Sequence, residues 1–191
     1  MSPRADRYLS LYEHGYFPMA DDSGQVGAFC YDPRGVLPVA EFHIPRRLER
    51  WLRTKPYQIT CNQAFQQVIR LCGERQRTWL CPEIEETFCE LHYHGWAHSL
   101  EAWHQGQLVG GLYGMTLGGT FCGESMFHRA PHASKACLIE LYQRMVQGGF
   151  DLIDCQEVTP TLAQFGARQI RFSEYYGLFR RYRKKDCKLN G

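Results

Sequence analysis

The chain has 191 residues, of which 44% are hydrophobic and 22% are charged, as in an ordinary globular protein. This length can bury a sizeable core within one domain, and no apolar run is long enough to cross a membrane. The N-terminus, MSPRADRYLS, lacks the apolar stretch of a secretory signal peptide, so we expect a cytoplasmic protein.

Turn residues and apolar periodicity predict the elements in chain order. A helix over 6–15 is followed by an irregular segment, short strands around Asp32-Pro33, and a helix from Pro45 to about Lys55. Next come a strand at YQIT, a helix capped by Asn62 and ending at Gly73, and a helix from Pro82 to Gly95. Strands at 97–104, 107–117 and 120–127 precede a helix that Ser134 caps and that ends at Gly148-Gly149. The chain then continues with a strand at FDLIDCQ, a short helix from Thr159-Pro160 to Gly166, a strand at 168–172, and a basic helix capped by Ser173.

This order of strand, two helices, three strands, helix, strand, helix and strand is typical of the GNAT-type acyltransferase fold. The predicted fold class is therefore α+β (α/β), a GNAT-like core of mixed, mostly antiparallel sheet flanked by helices. We assign this core to residues 56–191 and a small N-terminal segment to residues 1–55. By analogy the fold indicates acyl transfer, although a fold alone does not determine a function.

Basic residues are concentrated in two clusters, although the net charge is only +2. The first cluster comprises Arg46, Arg47, Arg50, Arg53 and Lys55, and the second includes Arg180, Arg181, Arg183, Lys184 and Lys185. Clusters of a single sign on a nearly neutral protein indicate a polyanionic partner. The alternative is a solvated helix face and a disordered tail.

The stretch FCGESMF, residues 121–127, places one glutamate among aromatic and sulfur side chains. Strict alternation along a strand predicts Phe121, Gly123 and Ser125 on one face, and Cys122, Glu124 and Met126 on the other. An ionised carboxylate among apolar neighbours is costly unless a cation or a hydrogen bond compensates it. Glu124 therefore either pairs with an arginine at the rim of the sheet or lines a substrate pocket.

Several cofactor and metal motifs are missing from the sequence. The stretch HRAPHASKACL, before the central helix, has no glycine, so the backbone nest that holds the pyrophosphate of acyl-CoA is not predicted. GxGxxG and GKS or GKT are also absent. His92, His94 and His98 fall across a helix end and a strand start, without an HExxH spacing. We therefore expect neither a metal nor a cofactor.

The stretch LIDCQ offers chemistry at the end of a predicted central strand. Period two places Leu152, Asp154 and Gln156 on one face, at the carboxyl end where α/β proteins gather ligand sites. A carboxylate and an amide at this spacing supply a proton acceptor and a positioning group for an amine. Alternatively, Asp154 caps a neighbouring loop.

Together these stretches resemble the leucyl/phenylalanyl-tRNA–protein transferase family. The matching segments are YEHGYFPM, YDPRGVL, FHIPRRL, Thr78-Trp79, HGWAHSLEAW, LVGGLYG, FCGESMF, ASK, LIDCQ and FGA, which span about residues 8 to 170. The resemblance implies transfer of Leu, Phe or Met from an aminoacyl-tRNA to an N-terminal Lys or Arg of a protein, which marks that protein for degradation. It implies no metal and no CoA, and it favours a monomer.

The resemblance also implies roles for individual residues. Glu124 matches the pocket glutamate of the family, whereas Leu112, Phe121 and Met126 match the walls of its apolar amino-acid pocket. Trp79 matches an aromatic that packs on the terminal adenosine, and Asp154 with Gln156 matches the pair that orients and deprotonates the acceptor amine. The chain departs from the family at Met19, where many members have Trp, and at Pro160, Thr161 and Gln164, where members carry an Asp-His pair and a Ser.

Two other functions remain open from the sequence. One is a GNAT N-acyltransferase that uses acyl-CoA, against which the missing pyrophosphate loop counts. The other is a non-catalytic module that binds tRNA or protein N-termini, which the altered loop at 159–164 keeps open.

Overall fold

The computed structural model describes residues 1–54, 56–74 and 78–189, so Lys55 of the first basic cluster lies outside the described residues. The helices are α1 (Pro3–Glu13), α2 (Arg46–Leu52), α3 (Phe65–Gly73), α4 (Pro82–Tyr93), α5 (Ala133–Gly148), α6 (Pro160–Ala163) and α7 (Phe172–Tyr182). The strands are β1 (Phe17–Ala20), β2 (Val26–Phe29), β3 (Arg34–Pro38), β4 (Gln58–Cys61), β5 (Ala97–His104), β6 (Gln107–Leu117), β7 (Thr120–His128), β8 (Leu152–Gln156) and β9 (Arg168–Ile170). None of the described helices combines the length and apolar character that crossing a bilayer requires.

A mixed sheet forms the centre of the molecule. In the described residues seven strands pair in the order β4-β5-β6-β7-β8-β3-β9, and β1 and β2 form a separate hairpin. Neighbouring strands of the large sheet are antiparallel, apart from β7 and β8, which run parallel. Helix α5 makes the crossover that a parallel pair needs. The predicted fold class, a mixed and mostly antiparallel sheet flanked by helices, is confirmed.

Strand β3 joins the N-terminal segment to the rest of the sheet. It lies between β8 and β9 and pairs with both in antiparallel fashion. The sheet therefore takes strands from both sides of residue 55, and the division of the chain at that residue stays a prediction.

The sheet separates two apolar clusters, one on each face. Tyr12 of α1 and Phe179 of α7 belong to the first cluster, which α3 and α4 also cover, whereas Leu48 of α2 and Leu138 of α5 belong to the second. Helix α3 shows why such helices form, because its buried residues Phe65, Val68, Ile69 and Cys72 recur at the spacing of one helical face. Helices α2 and α7, which carry the two basic clusters, thus lie on opposite faces of the sheet.

The hairpins β5–β6 and β6–β7 begin and end within one residue of their predicted bounds. Their turns explain this agreement. Gln105 and Gly106 adopt φ values of 50° and 76°, the pair of positive values that a type I′ turn requires. At the next turn a Cβ on Gly118, which has a φ of 55°, would lie 2.4 Å from Arg183 Cα.

Three predicted helix caps are wrong. Asn62 precedes the start of α3 by three positions, and its Oδ1 instead accepts a hydrogen bond from Ser99 N at 3.0 Å. Ser134 is buried inside the first turn of α5, and Ser173 lies inside α7. By contrast, α6 begins at Thr159-Pro160 as predicted, and Thr159 caps it, since its Oγ1 accepts a hydrogen bond from Leu162 N at 3.2 Å.

Candidate active site

A cavity of about 980 Å³ opens where the two parallel strands separate. Pairing between β7 and β8 ends at Cys122 and Asp154, and Glu124 and Gln156, two residues further along each strand, border the cavity. The pairing between β7 and β8 therefore ends just before Glu124 and Gln156, two of the residues predicted for the site.

The cavity brings together most of the residues that the sequence predicts for the site. Its wall includes Met19, Trp79, Leu112, Phe121, Glu124, Met126 and Gln156. Leu112, Phe121 and Met126 pack in the apolar cluster on one face of the sheet, whereas Met19 and Trp79 pack against the cluster on the other face. The cavity thus connects both faces through the opening between the strands.

A β-bulge places Glu124 in the cavity wall. Tyr113 pairs with Ser125 and Gly114 pairs with Gly123, so Glu124 is an extra residue in β7. The strict alternation predicted for 121–127 is therefore wrong. Phe121 and Met126, which were assigned to opposite faces, pack in the same apolar cluster as Leu112, and Cys122 and Phe127 pack in the other.

Glu124 is partly buried and makes no ion pair with any described residue. Its Oε1 accepts a hydrogen bond from Gln156 Nε2 at 3.4 Å. Burial raises the pKa of Glu124 to about 8; the nearby Tyr12 hydroxyl and Arg34 lower this pKa, and Asp154 raises it further. Of the two alternatives drawn from the sequence, the structure favours the pocket carboxylate over the arginine-paired rim carboxylate.

Asp154 lies beneath the cavity and is absent from its described lining. Its carboxylate is entirely buried and forms a bidentate ion pair with the equally buried Arg34, at 2.8 Å from Nε and 2.6 Å from Nη2. Tyr175 Oη donates to Asp154 Oδ2 at 2.8 Å, and Gln156 N donates to Oδ1 at 3.1 Å. This geometry favours Asp154 as an anchor of the Gln156 backbone over direct proton transfer from a substrate.

Gln156 adopts a backbone conformation that is rare for a residue with a side chain. Its φ is 54°, and Glu157 N donates to Cys155 O at 2.6 Å across it, so the chain makes a tight γ-like turn. Backbone strain of this kind concentrates at functional sites, where surrounding contacts maintain it. Here the contact is the Asp154 carboxylate, which fixes the amide N–H of Gln156.

Two cations in the cavity wall were missed by the sequence analysis. Lys135 Nζ donates to Gln164 Oε1 at 3.2 Å, and Arg129 Nη2 donates to Glu74 Oε2 at 2.6 Å. The segment ASK, quoted above as a match to the family, contains Lys135 and was the available signal. The altered loop also reaches the site, since Thr161 lines the cavity and Gln164 holds Lys135.

The two basic clusters lie at different distances from the cavity. Arg46, Arg47 and Arg50 are exposed on α2, which adjoins the cavity rim because the Trp51 and His132 rings pack edge to face at 5.0 Å. The C-terminal cluster lies at the other end of β7, where Gly119 N donates to Tyr182 O. Within that cluster Arg183 pairs with Glu13 at 3.7 Å and Lys185 with Asp151 at 2.6 Å, whereas Arg180, Arg181 and Lys184 are exposed.

In the described ranges, no group of three or more His, Cys, Asp or Glu side chains is arranged to hold a metal ion. The polar groups of the cavity instead include the Glu124 carboxylate, the Gln156 amide and the cations Arg129 and Lys135, set against an apolar wall. Such an arrangement can bind an apolar side chain, orient an amine and move a proton.

Comparison with known proteins gives a consistent result. The leucyl/phenylalanyl-tRNA protein transferase family matches residues 36–180. Proteins called leucyl/phenylalanyl-tRNA–protein transferase match from Phenylobacterium zucineum (47% identity, 88% of this chain, 79% of the relative), Rubrobacter xylanophilus (46%, 87% and 88%) and Herpetosiphon aurantiacus (45%, 92% and 93%). Because the family match covers most of the chain and the relatives align over most of their own length, this chain belongs to the leucyl/phenylalanyl-tRNA–protein transferase family.

Proposed function

We propose that this protein transfers Leu, Phe or Met from an aminoacyl-tRNA to the α-amine of an N-terminal Lys or Arg of an acceptor protein, tagging that protein for degradation. In a chain of this family, the observation that carries the proposal is a cavity that opens to both faces of the sheet. In its wall Glu124 and Gln156 are joined by a hydrogen bond.

The donor side chain is proposed to occupy the apolar part of the cavity. Leu112 and Phe121 are buried, and with Met126 they form one wall of this part. Apolar burial contributes about 25 cal/mol per Å², so Leu or Phe is favoured over Ala by a few kcal/mol at most. The terminal adenosine of the tRNA is assigned to the other face, beside Trp79 and Met19.

The acceptor amine is assigned to Gln156, with Asp154 as the group that positions it. An aminoacyl ester is already activated, and an α-amine with a pKa of about 7.7 loses its proton easily. Catalysis then consists mainly of aligning the amine with the ester carbonyl and handling one proton. No metal or cofactor has a part in this scheme.

The exposed arginines of α2 and the C-terminal cluster are proposed to hold the tRNA backbone. Phosphate contacts of this kind position a nucleic acid without reading its sequence. Because α2 adjoins the cavity rim, its arginines are assigned to the phosphates nearest the aminoacylated end. Arg180, Arg181, Arg183, Lys184 and Lys185, at the other end of β7, are assigned to a more distant part of the tRNA.

We further propose that the protein acts as a cytoplasmic monomer. The segment 1–55 is proposed to form a small N-terminal unit, and residues 56–191 the catalytic unit. Gel filtration with light scattering tests the monomer, and limited proteolysis tests whether the chain is cleaved near residue 55.

Single-turnover transfer from tRNA charged with Leu, Phe, Met or Ala tests the function. The acceptors are matched peptides that begin with Lys, Arg or Glu, and the control is the Lys peptide with an acetylated α-amine and a free side-chain amine. We expect Leu, Phe or Met on the Lys and Arg peptides only, and none on the acetylated control. Acyl transfer from CoA would instead indicate a GNAT N-acyltransferase, and tRNA binding without transfer would indicate a non-catalytic module.

A further inference from the structure

The cavity contains one carboxylate that is placed to exchange a proton with a bound amine. Asp154 is engaged by Arg34, Tyr175 and the Gln156 backbone, and Gln156 has an amide, which does not titrate. Glu74 and Glu157 also line the cavity, but both are exposed, and Glu74 is paired with Arg129. Glu124 is partly buried, lies between the apolar wall and Gln156, and forms no ion pair with a described residue.

We propose that Glu124 is a catalytic residue that accepts the proton of the attacking amine and returns it to the 3′-oxygen of the departing tRNA. This inference rests on the proposed function, but it assigns the proton transfer to Glu124 and not to the pair Asp154 and Gln156. Asp154 is then a positioning residue that acts through Gln156.

The position of Glu124 in the bulge supports this role. Because the bulge makes Glu124 an extra residue in β7, its side chain does not follow the alternation that buries Phe121 and Cys122 on opposite faces. Glu124 therefore lies at the opening between β7 and β8, where the donor pocket on one face meets the other half of the cavity. A hydrogen bond from Gln156 Nε2 to Oε1 holds the carboxylate beside the amide to which the acceptor amine is assigned.

The electrostatic environment supports the same assignment. Burial raises the pKa of Glu124 to about 8, against the smaller opposing effects of the Tyr12 hydroxyl and Arg34. An ordinary glutamate, with a pKa near about 4.3, is too weak a base to hold the proton of an amine. Proton transfer is most efficient when the pKa of the catalytic group lies near the working pH. A carboxyl group that titrates near neutrality can both accept and return a proton.

The proposed step balances without a further reactant. The neutral α-amine attacks the ester carbonyl carbon, a C–N bond forms, and the nitrogen gives one proton to the Glu124 carboxylate. The tetrahedral intermediate then collapses, the bond from carbon to the 3′-oxygen breaks, and Glu124 gives that oxygen the proton. The products are a peptide bond and a tRNA with a free 3′-hydroxyl, and Glu124 is again a carboxylate.

The experiment measures single-turnover transfer at saturating donor and acceptor, over about pH 6 to 9.5, for the unmodified protein, Glu124→Gln and Glu124→Asp. Two matched Lys-type peptides are used, one with its α-amine and one with an aminooxy group in that place. The aminooxy group is uncharged over the whole range, so the acceptor contributes no rise in rate with pH. The α-amine of the donor titrates in this range as well. Glu124→Gln keeps that amine, so a rise that this variant lacks belongs to Glu124. Glu86→Gln, an exposed glutamate on α4, is the control. Glu157→Gln tests the other carboxylate of the lining that forms no ion pair with a described residue.

With the aminooxy peptide, we expect the rate of the unmodified protein to rise with pH and to level off above pH 8. Glu124→Gln should be slower by about 10²–10⁴-fold and independent of pH, whereas Glu124→Asp should be slower but keep the rise. Three results would each overturn this inference without touching the proposed function. They are an unchanged rate for Glu124→Gln, a rate of the unmodified protein that does not vary with pH, and a loss of rate in Glu157→Gln but not in Glu124→Gln. No transfer by the unmodified protein from any charged tRNA would overturn the proposed function as well.

Discussion

The guanidinium of Arg34 and the carboxylate of Asp154 form a bidentate ion pair in which both side chains are entirely buried. Arg34 also donates to Gly15 O at 3.1 Å and lies over the rings of Phe17 and Tyr175. The pair thus ties the N-terminal segment to the strand that carries Gln156.

Asp154→Asn should lower the free energy of unfolding by about 3–5 kcal/mol, because it leaves the buried Arg34 charge without a counter-ion. Arg34→Met should cost a similar amount, whereas the double variant Arg34→Met/Asp154→Asn should cost much less than the sum. Urea unfolding of the three variants checks this. Additive losses of unfolding free energy would show that the two charges do not act as a pair. Because Asp154→Asn is expected to be less stable, any transfer rate measured for it needs a melting curve as a control.

Glu124→Gln should stabilise the protein at alkaline pH. The pKa of Glu124 is about 8 in the folded protein and 4.5 as its reference value, so the folded state holds this proton more tightly. Stability from this group is therefore complete below pH 4.5 and falls as the pH rises towards 8. We expect Tm to rise by several degrees at pH 8.5, on the order of 2–4 °C per kcal/mol, and to change little at pH 4.5. If Glu124→Gln and the unmodified protein had the same Tm at pH 8.5 as well as at pH 4.5, the raised pKa of Glu124 would be contradicted.

Gly114 allows the bulge that places Glu124. A Cβ at this position would lie 2.2 Å from the carbonyl oxygen of Cys122, so Gly114→Ala should move β7 against β6. We expect a loss of about 1–3 kcal/mol in unfolding free energy and a fall in transfer rate. Gly177→Ala is the matched control, because nothing lies within 4 Å of its Cβ and it should stabilise α7 by about 0.5–1 kcal/mol. Identical behaviour of the two variants would show that the bulge does not depend on Gly114.

Met126→Asp should abolish transfer of Leu and Phe while the fold persists, because it places a charge in the proposed donor pocket. The comparison is Val146→Asp, which introduces the same group at an exposed position of α5. Single-turnover rates with each charged tRNA, together with circular dichroism, check the prediction. Transfer of Leu by Met126→Asp at the unmodified rate would place the donor elsewhere.

Arg46, Arg47 and Arg50, when all are changed to Ala, should weaken the binding of every tRNA and flatten its salt dependence. Each duplex phosphate contact contributes a log–log slope near −0.9, so three lost contacts should reduce the slope by up to about 2.7. The same test applies to Arg180, Arg181 and Lys184. A control triple of ion-paired arginines, Arg4, Arg70 and Arg168, removes equal charge. If the slope changed equally in the control, the effect would come from the loss of net charge and not from contacts made by these arginines.

Local signals in the sequence were sufficient for the hairpins, because the turn at Gln105-Gly106 is specified by the residues that form it. The cap at Asn62 failed because a distant residue engages its side chain, as the hydrogen bond from Ser99 N to Asn62 shows. The resemblance to the family named residues that lie together in the cavity wall, such as Leu112 and Glu124, but it did not assign Arg129 or Lys135 to it. The bulge at Glu124 was not predicted, because one extra residue in a strand reverses the alternation after it without changing the composition.

The ion pair between Arg34 and Asp154 joins residues 120 positions apart, and no pattern in either segment indicates its partner. The prediction for Asp154 therefore used its place on a strand end and could not include its burial. The positive φ of Gln156 could not be predicted for the same reason. Its amide is held by the Asp154 carboxylate, which Arg34 and Tyr175 of other elements hold in turn.

The place of β3 between β8 and β9 has a consequence during synthesis of the protein. At about 5–20 residues per second, the ribosome adds Asp154 roughly 6–24 seconds after Arg34. During that interval β3 has neither of its neighbours, and Arg34 does not yet have Asp154 as its counter-ion. A chain that ends before residue 168 therefore lacks β9, one of the two neighbours of β3, and also Tyr175, which donates a hydrogen bond to Asp154.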